Sequence, residues 1–333
     1  MNASSESARN YYQNKTITVL VGARPGVAYD LYARLIASHM GKYIPGNPDI
    51  AVQNISGAGG KKIAGQIYAT TPDGLTLAAI SPELYFGQIL GQSDVQFDWA
   101  RFSWIGTADR SNHLIYARAK TPYKTLRAIV EAAKPPRCGA SGASSTAYYL
   151  PKLLQEIFGA KFEMKTGYRE GPDVDAAVER GEIDCRVLTI SGFFSHEPYH
   201  SWRKNGFVRI LLQTGKERDA KLPDAPTIYE LMDAYRVPET GRRLARVILG
   251  GALFGRPMVA PPGLAAEKLD ILRDAFASAA RDPELLREAE IKGLGVVLGG
   301  GEELQALARE VTAQPPDVVA RMKTLVGISE PKY

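Results

Sequence analysis

The sequence predicts an α/β protein built on mainly parallel sheets, on three observations. Short apolar runs recur along the chain with little polar alternation, the mark of strands buried on both faces. Between them lie amphipathic stretches with 3-4 spacing. Strands and helices alternate along the chain, which favours parallel pairing with helices on the sheet faces.

The apolar runs give candidate strands at 16–22, 49–54, 75–80, 113–117, 137–140, 161–166, 184–188, 208–213, 247–254 and 296–298. The helical stripes are Leu31, Tyr32, Leu35, Ile36 and Met40; Leu150, Leu153, Leu154, Ile157 and Phe158; Leu269, Leu272, Phe276 and Ala280; and Leu304, Leu307, Ala308 and Val311. Gly159 and Gly181 suit helix ends, where a left-handed residue closes the last turn. Pro172 suits a first helical turn, and Pro315 and Pro316 suit a stop.

The 333 residues include 41 Lys and Arg against 36 Asp and Glu, a formal charge of +5, and 45% are hydrophobic. A chain of this length buries about 75% of its unfolded surface and tends to divide into two domains. The basic residues are scattered with no run of five, which argues against a nucleic-acid partner. No window holds 18 consecutive apolar residues, so no transmembrane helix is expected. The first 15 residues are polar and lack the apolar region of an intact signal peptide. Cys138 and Cys185 are too few for a disulfide scaffold or a four-cysteine metal site.

In α/β folds ligands sit beyond the carboxyl ends of strands, often at helix N-termini, so the strand-to-helix loops carry the candidate sites. The first loop runs from Gly22 to Asp30 and holds Arg24, Gly26, Val27, Ala28 and Tyr29. A helix start offers free N–H groups and partial positive charge, and Arg24 adds a forked donor for a carboxylate or phosphate. Asp30 can equally be a helix N-terminal charge, and Arg24 a solvated surface residue. The second loop holds Ser56, Gly57, Ala58, Gly59 and Gly60. It resembles a phosphate cradle but matches neither the P-loop nor the dinucleotide glycine pattern; an anion-binding turn or a plain tight turn remains.

The third loop, Gly139 to Thr146, carries Ser141, Ser144, Ser145 and Thr146 ahead of the strongest amphipathic helix. Its hydroxyls suit helix capping or binding of an oxygen-rich ligand. The nucleophile-elbow pattern fails because position 143 is Ala, and none of the four histidines offers a convincing base. His196-Glu-Pro-Tyr-His200 matches H-E-x-x-H formally, yet Pro198 between the imidazoles disturbs the helix that zinc binding needs, so no metal is expected.

Taken in order, these loops resemble the solute receptors of tripartite tricarboxylate transporters, the Bug-type receptors. The resemblance runs from about Lys15 to the C-terminus. It rests on Asp30-Leu-Tyr-Ala-Arg34, Asn54-Ile-Ser-Gly-Ala-Gly-Gly60, Thr71-Pro-Asp-Gly-Leu-Thr-Leu77, Gly139 to Thr146, Gly167-Tyr-Arg-Glu-Gly171 with Gly181-Glu-Ile-Asp184, Leu222-Pro-Asp-Ala-Pro-Thr227 and Ala260-Pro-Pro-Gly263.

The resemblance implies a two-lobe, type II periplasmic-binding-protein-like α/β fold with a cleft between the lobes. Lobe one would combine 15–110 with 246–333, lobe two would span 111–245, and 1–14 would be a disordered or tag-like segment. It implies a periplasmic, monomeric, cofactor-free receptor that binds a small di-, tri- or aromatic carboxylate and hands it to membrane transporter subunits. The alternative is a hydrolase or transferase using the Ser141 to Thr146 loop. Carried over by position, the ligand contacts are Arg24, Gly26, Val27, Ala28, Tyr29, Asp30, Ser56, Gly57, Ala58, Gly59 and Ser81 in lobe one. In lobe two they are Ser141, Ser144, Ser145, Thr146, Tyr168 and Thr189. The chain departs from the family pattern at Arg24, Val27, Tyr29, Arg169 and Leu188, which keeps the carboxylate class and leaves the particular ligand open, a bulkier or aromatic acid included. The two cysteines, on neighbouring candidate strands of lobe two, are expected either as a disulfide or as two buried thiols.

Overall fold

The computed structural model describes residues 11–55, 60–140, 142, 145–168, 171–195 and 197–325. Its strands are β1 (Thr16–Val21), β2 (Asp49–Asn54), β3 (Thr76–Ala79), β4 (Ser103–Thr107), β5 (His113–Arg118), β6 (Arg137–Gly139), β7 (Glu163–Lys165), β8 (Cys185–Thr189), β9 (Val208–Gln213), β10 (Pro257–Ala260) and β11 (Gly299–Gly300). The helices of two turns or more are α1 (Ala28–Met40), α2 (Lys61–Tyr68), α3 (Thr146–Phe158), α4 (Gly171–Arg180), α5 (Glu239–Phe254), α6 (Ala266–Ala280), α7 (Pro283–Ile291), α8 (Gly301–Thr312) and α9 (Pro316–Leu325).

The chain divides into two compact units, 1–110 with 251–314 and 111–250 with 315–333. Unit one is built on a six-stranded sheet in the order β11-β4-β10-β3-β1-β2. The strands β1, β2 and β3 are parallel, with Val19 in register with Val52 and Leu77, while β10 and β11 run antiparallel to their neighbours. The stripe on α1 buries Tyr32, Leu35, Ile36 and Met40 in one core cluster with Leu272 and Phe276 of α6. Gly106 on β4 is required there, because a Cβ would fall 2.6 Å from the Phe276 ring. Burial of such side chains stabilises by about 1.5–3 kcal/mol each, before conformational entropy is set against it.

Unit two is built on a five-stranded sheet in the order β7-β6-β8-β5-β9, with β6, β7 and β8 parallel and β5 antiparallel to β8 and β9. Its core holds a buried polar network. Asp175 of α4 accepts hydrogen bonds from the Arg186 guanidinium of β8, from Tyr199 Oη at 2.6 Å and from Tyr116 Oη at 3.3 Å. Arg186 Nη1 also donates to Tyr199 Oη at 2.8 Å. Such a charge pair persists in a core because hydrogen bonds surround it on all sides. Cys138 and Cys185, in register on β6 and β8, are buried free thiols.

Several expected elements differ. The apolar run 247–254 is the end of helix α5, not a strand. Leu244, Val247 and Ile248 are buried at 3-4 spacing and continue from a polar start at Glu239. A short continuous apolar run looks the same in a buried strand and a buried helix, and only the flanking residues separate them. The strand expected at 296–298 lies instead at Gly299–Gly300. Two strands, β4 and β10, were not anticipated; β10 begins with Pro257 yet sits inside the sheet, all four residues buried.

The segment 315–325, expected in lobe one, groups with unit two: α9 packs on α3, and Arg321 Nη2 lies 2.8 Å from Glu156 Oε1. Within the expected N-terminal tag, Tyr12 is fully buried in the unit-one core, and Tyr11 Oη donates to the Asp73 carbonyl at 2.7 Å. Positions 1–10 lie outside the described residues.

Candidate functional site

Because β1, β2 and β3 are parallel, their carboxyl ends lie along one edge of the unit-one sheet, from which the segment 22–30, Ile55 and the turn at Ser81 all leave. A Cβ at Gly22 would sit 3.8 Å from Gly60 Cα, and one at Gly60, whose φ is +89°, would sit 3.8 Å from Ser81 Cβ. Glycine thus lets the three segments meet within van der Waals distance.

Asp30 holds this edge together. Its carboxylate, 2% exposed, accepts hydrogen bonds from Gly26 N at 2.8 Å, Arg34 Nε at 2.9 Å and Asn54 Nδ2 at 2.8 Å. Asn54 Nδ2 also donates to the Ala23 carbonyl at 3.0 Å, and Arg34 Nη2 to Asn54 Oδ1 at 2.7 Å. Burial pushes the Asp30 pKa up, but the donors from Arg34, Gly26 and Asn54 outweigh it and hold the carboxyl below its ordinary range. Arg34 and Asn54, which are not among the expected ligand contacts, are therefore positioning residues. The signal available was the i,i+4 spacing of Asp30 and Arg34.

Beside Asp30, Arg24, Gly26 and Val27 are exposed, and Ala28 and Tyr29 half-buried. Val27 starts α1 without a side-chain cap. Tyr29 packs against the unit-one core with the Arg256 guanidinium 5.6 Å from its ring centre. Burial, followed by the nearby Glu83 carboxylate, drives its phenol well above the ordinary range, so it stays neutral. Ser81 Oγ donates to Glu83 Oε2 at 2.6 Å. Glu83 and Arg256 were absent from the expected set. Ser56, Gly57, Ala58 and Gly59 lie outside the described residues.

Unit two repeats the arrangement. Its parallel strands β6, β7 and β8 also end along one sheet edge, and Ser145 and Thr146, Tyr168 and Thr189 each follow or close one of them. Ser145 begins α3 without capping it; its Oγ donates to the Gly142 carbonyl at 2.8 Å. Tyr168 packs against the unit-two core. Thr189 Oγ1 accepts from Gly192 N at 3.1 Å and stands opposite His113 of β5.

The His113 imidazole also lies at this edge: its Nδ1 is sealed from solvent with no hydrogen-bond partner among the described residues, and burial pulls its pKa down to about 4. Ser141, Ser144 and Arg169 lie outside the described residues, and Leu188 is half-buried against the unit-two core.

The H-E-x-x-H match does not sit on one helix: Tyr199–Lys204 is helical from Tyr199, and His200 Nε2 lies 3.0 Å from the Phe194 carbonyl. His196 is outside the described residues. His39, Asp282 and Glu284 come within metal-ligand reach of one another. Lys42 Nζ already occupies that cluster, 2.5 Å from Asp282 and 2.9 Å from Glu284.

Two sheets, each presenting a loop-lined edge at the carboxyl ends of three parallel strands, can be compared with known proteins. The family model described as the tripartite tricarboxylate transporter family receptor matches residues 32–323. The chain belongs to that family. A protein of the UPF0065 group from Cupriavidus necator is 24% identical over 280 residues, covering 83% of this chain and 77% of its own length.

Among solved structures, a TctC solute binding protein from Polaromonas superposes with a TM-score of 0.73 at 19% identity, covering 95% of this chain and 99% of that one. MatC of Rhodopseudomonas palustris with bound malate superposes with a TM-score of 0.61 at 21% identity, covering 94% and 99%. The receptor therefore has the two-unit fold of type II periplasmic binding proteins, with a mixed α/β sheet in each unit. Among the described residues no helix is long and apolar enough to cross a membrane.

Proposed function

We propose that this receptor binds a small carboxylate outside the cytoplasmic membrane, in the periplasm, and delivers it to the membrane subunits of a transporter, without bond chemistry of its own. The observation that carries the reading is the placement of the candidate loops. In each unit they leave the carboxyl ends of three parallel strands, and the helices α1 and α3 that follow begin with no side-chain cap. Uncapped first-turn N–H groups and the positive end of the helix dipole suit carboxylate oxygens. Hydroxyl groups stand at the same edges, Ser81 in unit one and Thr189 in unit two, and suit the oxygens of such an acid. Malate bound to the structural neighbour MatC supports the ligand class.

A thermal-shift panel of malate, citrate, adipate and benzoate against their methyl esters tests this. At least one acid is expected to raise the melting temperature by an amount that grows with the logarithm of its concentration, and its ester to have no effect. Equal effects of acid and ester, or no shift with any acid at 10 mM (roughly a thousand times a 10 μM Kd, where about 4 kcal/mol of stabilisation is due), would contradict it.

A further inference from the structure

Away from the strand-end edges, unit two carries a groove of about 730 Å³ that the ligand reading does not use. Three consecutive β9 residues, Arg209, Ile210 and Leu211, line it. Successive side chains of a strand point to opposite faces, so a groove that meets three in a row runs along the strand's edge. β9 is the outermost strand of its sheet; among the described residues it pairs along its length with β5, and on its other side only Gln213 bridges, to Thr227. Its far end is stapled: Gln213 N donates to the Pro226 carbonyl at 2.9 Å, and Gln213 Nε2 to the Leu222 and Ala225 carbonyls at 2.9 and 2.8 Å. Among the described residues no strand pairs with the outer side of Val208 to Leu212.

The charged residues of the groove's walls are mostly basic. Lys124, Arg127, Arg209 and Lys221 ring it against the single acid Asp224, all of them exposed. Among the described residues only Arg127 of these four has an ion-pair partner, Glu131 at 2.7 Å, and Lys221 lies over the Phe194 ring. Between these cations lies an apolar floor that includes Leu222, Leu231 and Tyr235, the last 38% exposed. An unpaired strand edge offers main-chain donors and acceptors, alternating pockets take alternate side chains, and a basic rim selects charge.

We infer that this groove docks an extended, acidic polypeptide segment that adds to β9 as a strand. Five residues of edge span about 17 Å, which sets the segment at five or six residues, with acidic side chains toward Arg209 and Lys221 and apolar ones on the Leu222 and Leu231 floor. The inference is independent of which acid the receptor binds.

A fluorescein-labelled Glu-Val-Glu-Val-Glu-Val peptide, titrated by anisotropy with the intact protein at low salt, tests it. Saturable binding below 1 mM is expected, at least tenfold weaker with R209E/K221E. It is expected to be lost with a Lys-Val-Lys-Val-Lys-Val peptide and with a version N-methylated on alternate residues. The neutral pair R209Q/K221Q, chosen in case charge reversal disturbs folding, is expected to give an intermediate loss with an unchanged melting temperature. No binding at 1 mM would overturn the inference and leave the basic rim as a guard against edge-to-edge aggregation. Undiminished binding to the variants or to the N-methylated peptide would overturn it too. So would octanoate saturating the groove in place of the peptide, which would make it a small-acid pocket.

Discussion

Asp30 and Asn54 are joined by a 2.8 Å hydrogen bond that ties the loop after β1 to the end of β2. Three donors converge on the Asp30 carboxylate, so the residue builds the unit-one edge from within. Its role here is to fix where the exposed segment Arg24 to Val27 stands.

Replacing Asp30 with Asn is accordingly expected to cost about 1–3 kcal/mol, the range for leaving buried partners unsatisfied. Urea unfolding of the variant checks this. Because its folded pKa lies below the ordinary value, the contribution of Asp30 is present at neutral pH and is lost only as pH falls below about 4. The cost of the substitution is expected to shrink in that acid range.

The Asp175–Arg186 pair in unit two gives a larger expectation. Removing one partner, as in Asp175→Ala, leaves a buried guanidinium without its counter-charge, and about 3–5 kcal/mol of stability is expected to go. The double replacement Asp175→Leu with Arg186→Met is expected to cost less than the single change. Denaturant midpoints of the three proteins decide it.

His113 sets a distinct pH dependence. Its folded pKa of about 4 lies below the unfolded value near 6.5. Between these values the unfolded chain binds the extra proton, so stability falls as pH drops from about 6.5 to 4, by up to about 3 kcal/mol. His113→Gln is expected to flatten the melting temperature across that window and leave it unchanged above pH 7.

The buried thiols carry a simple expectation. Cys138 and Cys185 are free, and burial raises the Cys185 pKa well above the ordinary thiol value. Ellman's reagent is expected to find no fast-reacting thiol in the folded protein and two per chain after unfolding without reductant.

Much of the framework was legible in the sequence, because strands buried on both faces announce themselves as apolar runs. β1, β2 and β9 begin where the runs do, and α1, α3, α6 and α8 follow the predicted stripes. What was not legible has local causes. The run 247–254 has the composition of a strand and the context of a helix. β10 is four residues long and opens with a proline, which argues against a sheet interior until its neighbours are known. At the site, the starts of α1 and α3 could be read from the Gly and Ser residues just ahead of them. Partner sets could not: nothing in the sequence brings Tyr29 near Glu83, or places His113 opposite Thr189, before the strands are paired.

The most direct measurement is an amide NMR titration of the isotope-labelled receptor with whichever acid stabilises it most. Saturable shifts are expected at Gly26 to Leu31, Gly60 and Ser81 in unit one and at Ser145 to Tyr149, Tyr168 and Thr189 in unit two. Shifts confined to other surfaces, such as the β9 groove, with these strand-end amides unmoved, would contradict the proposed function.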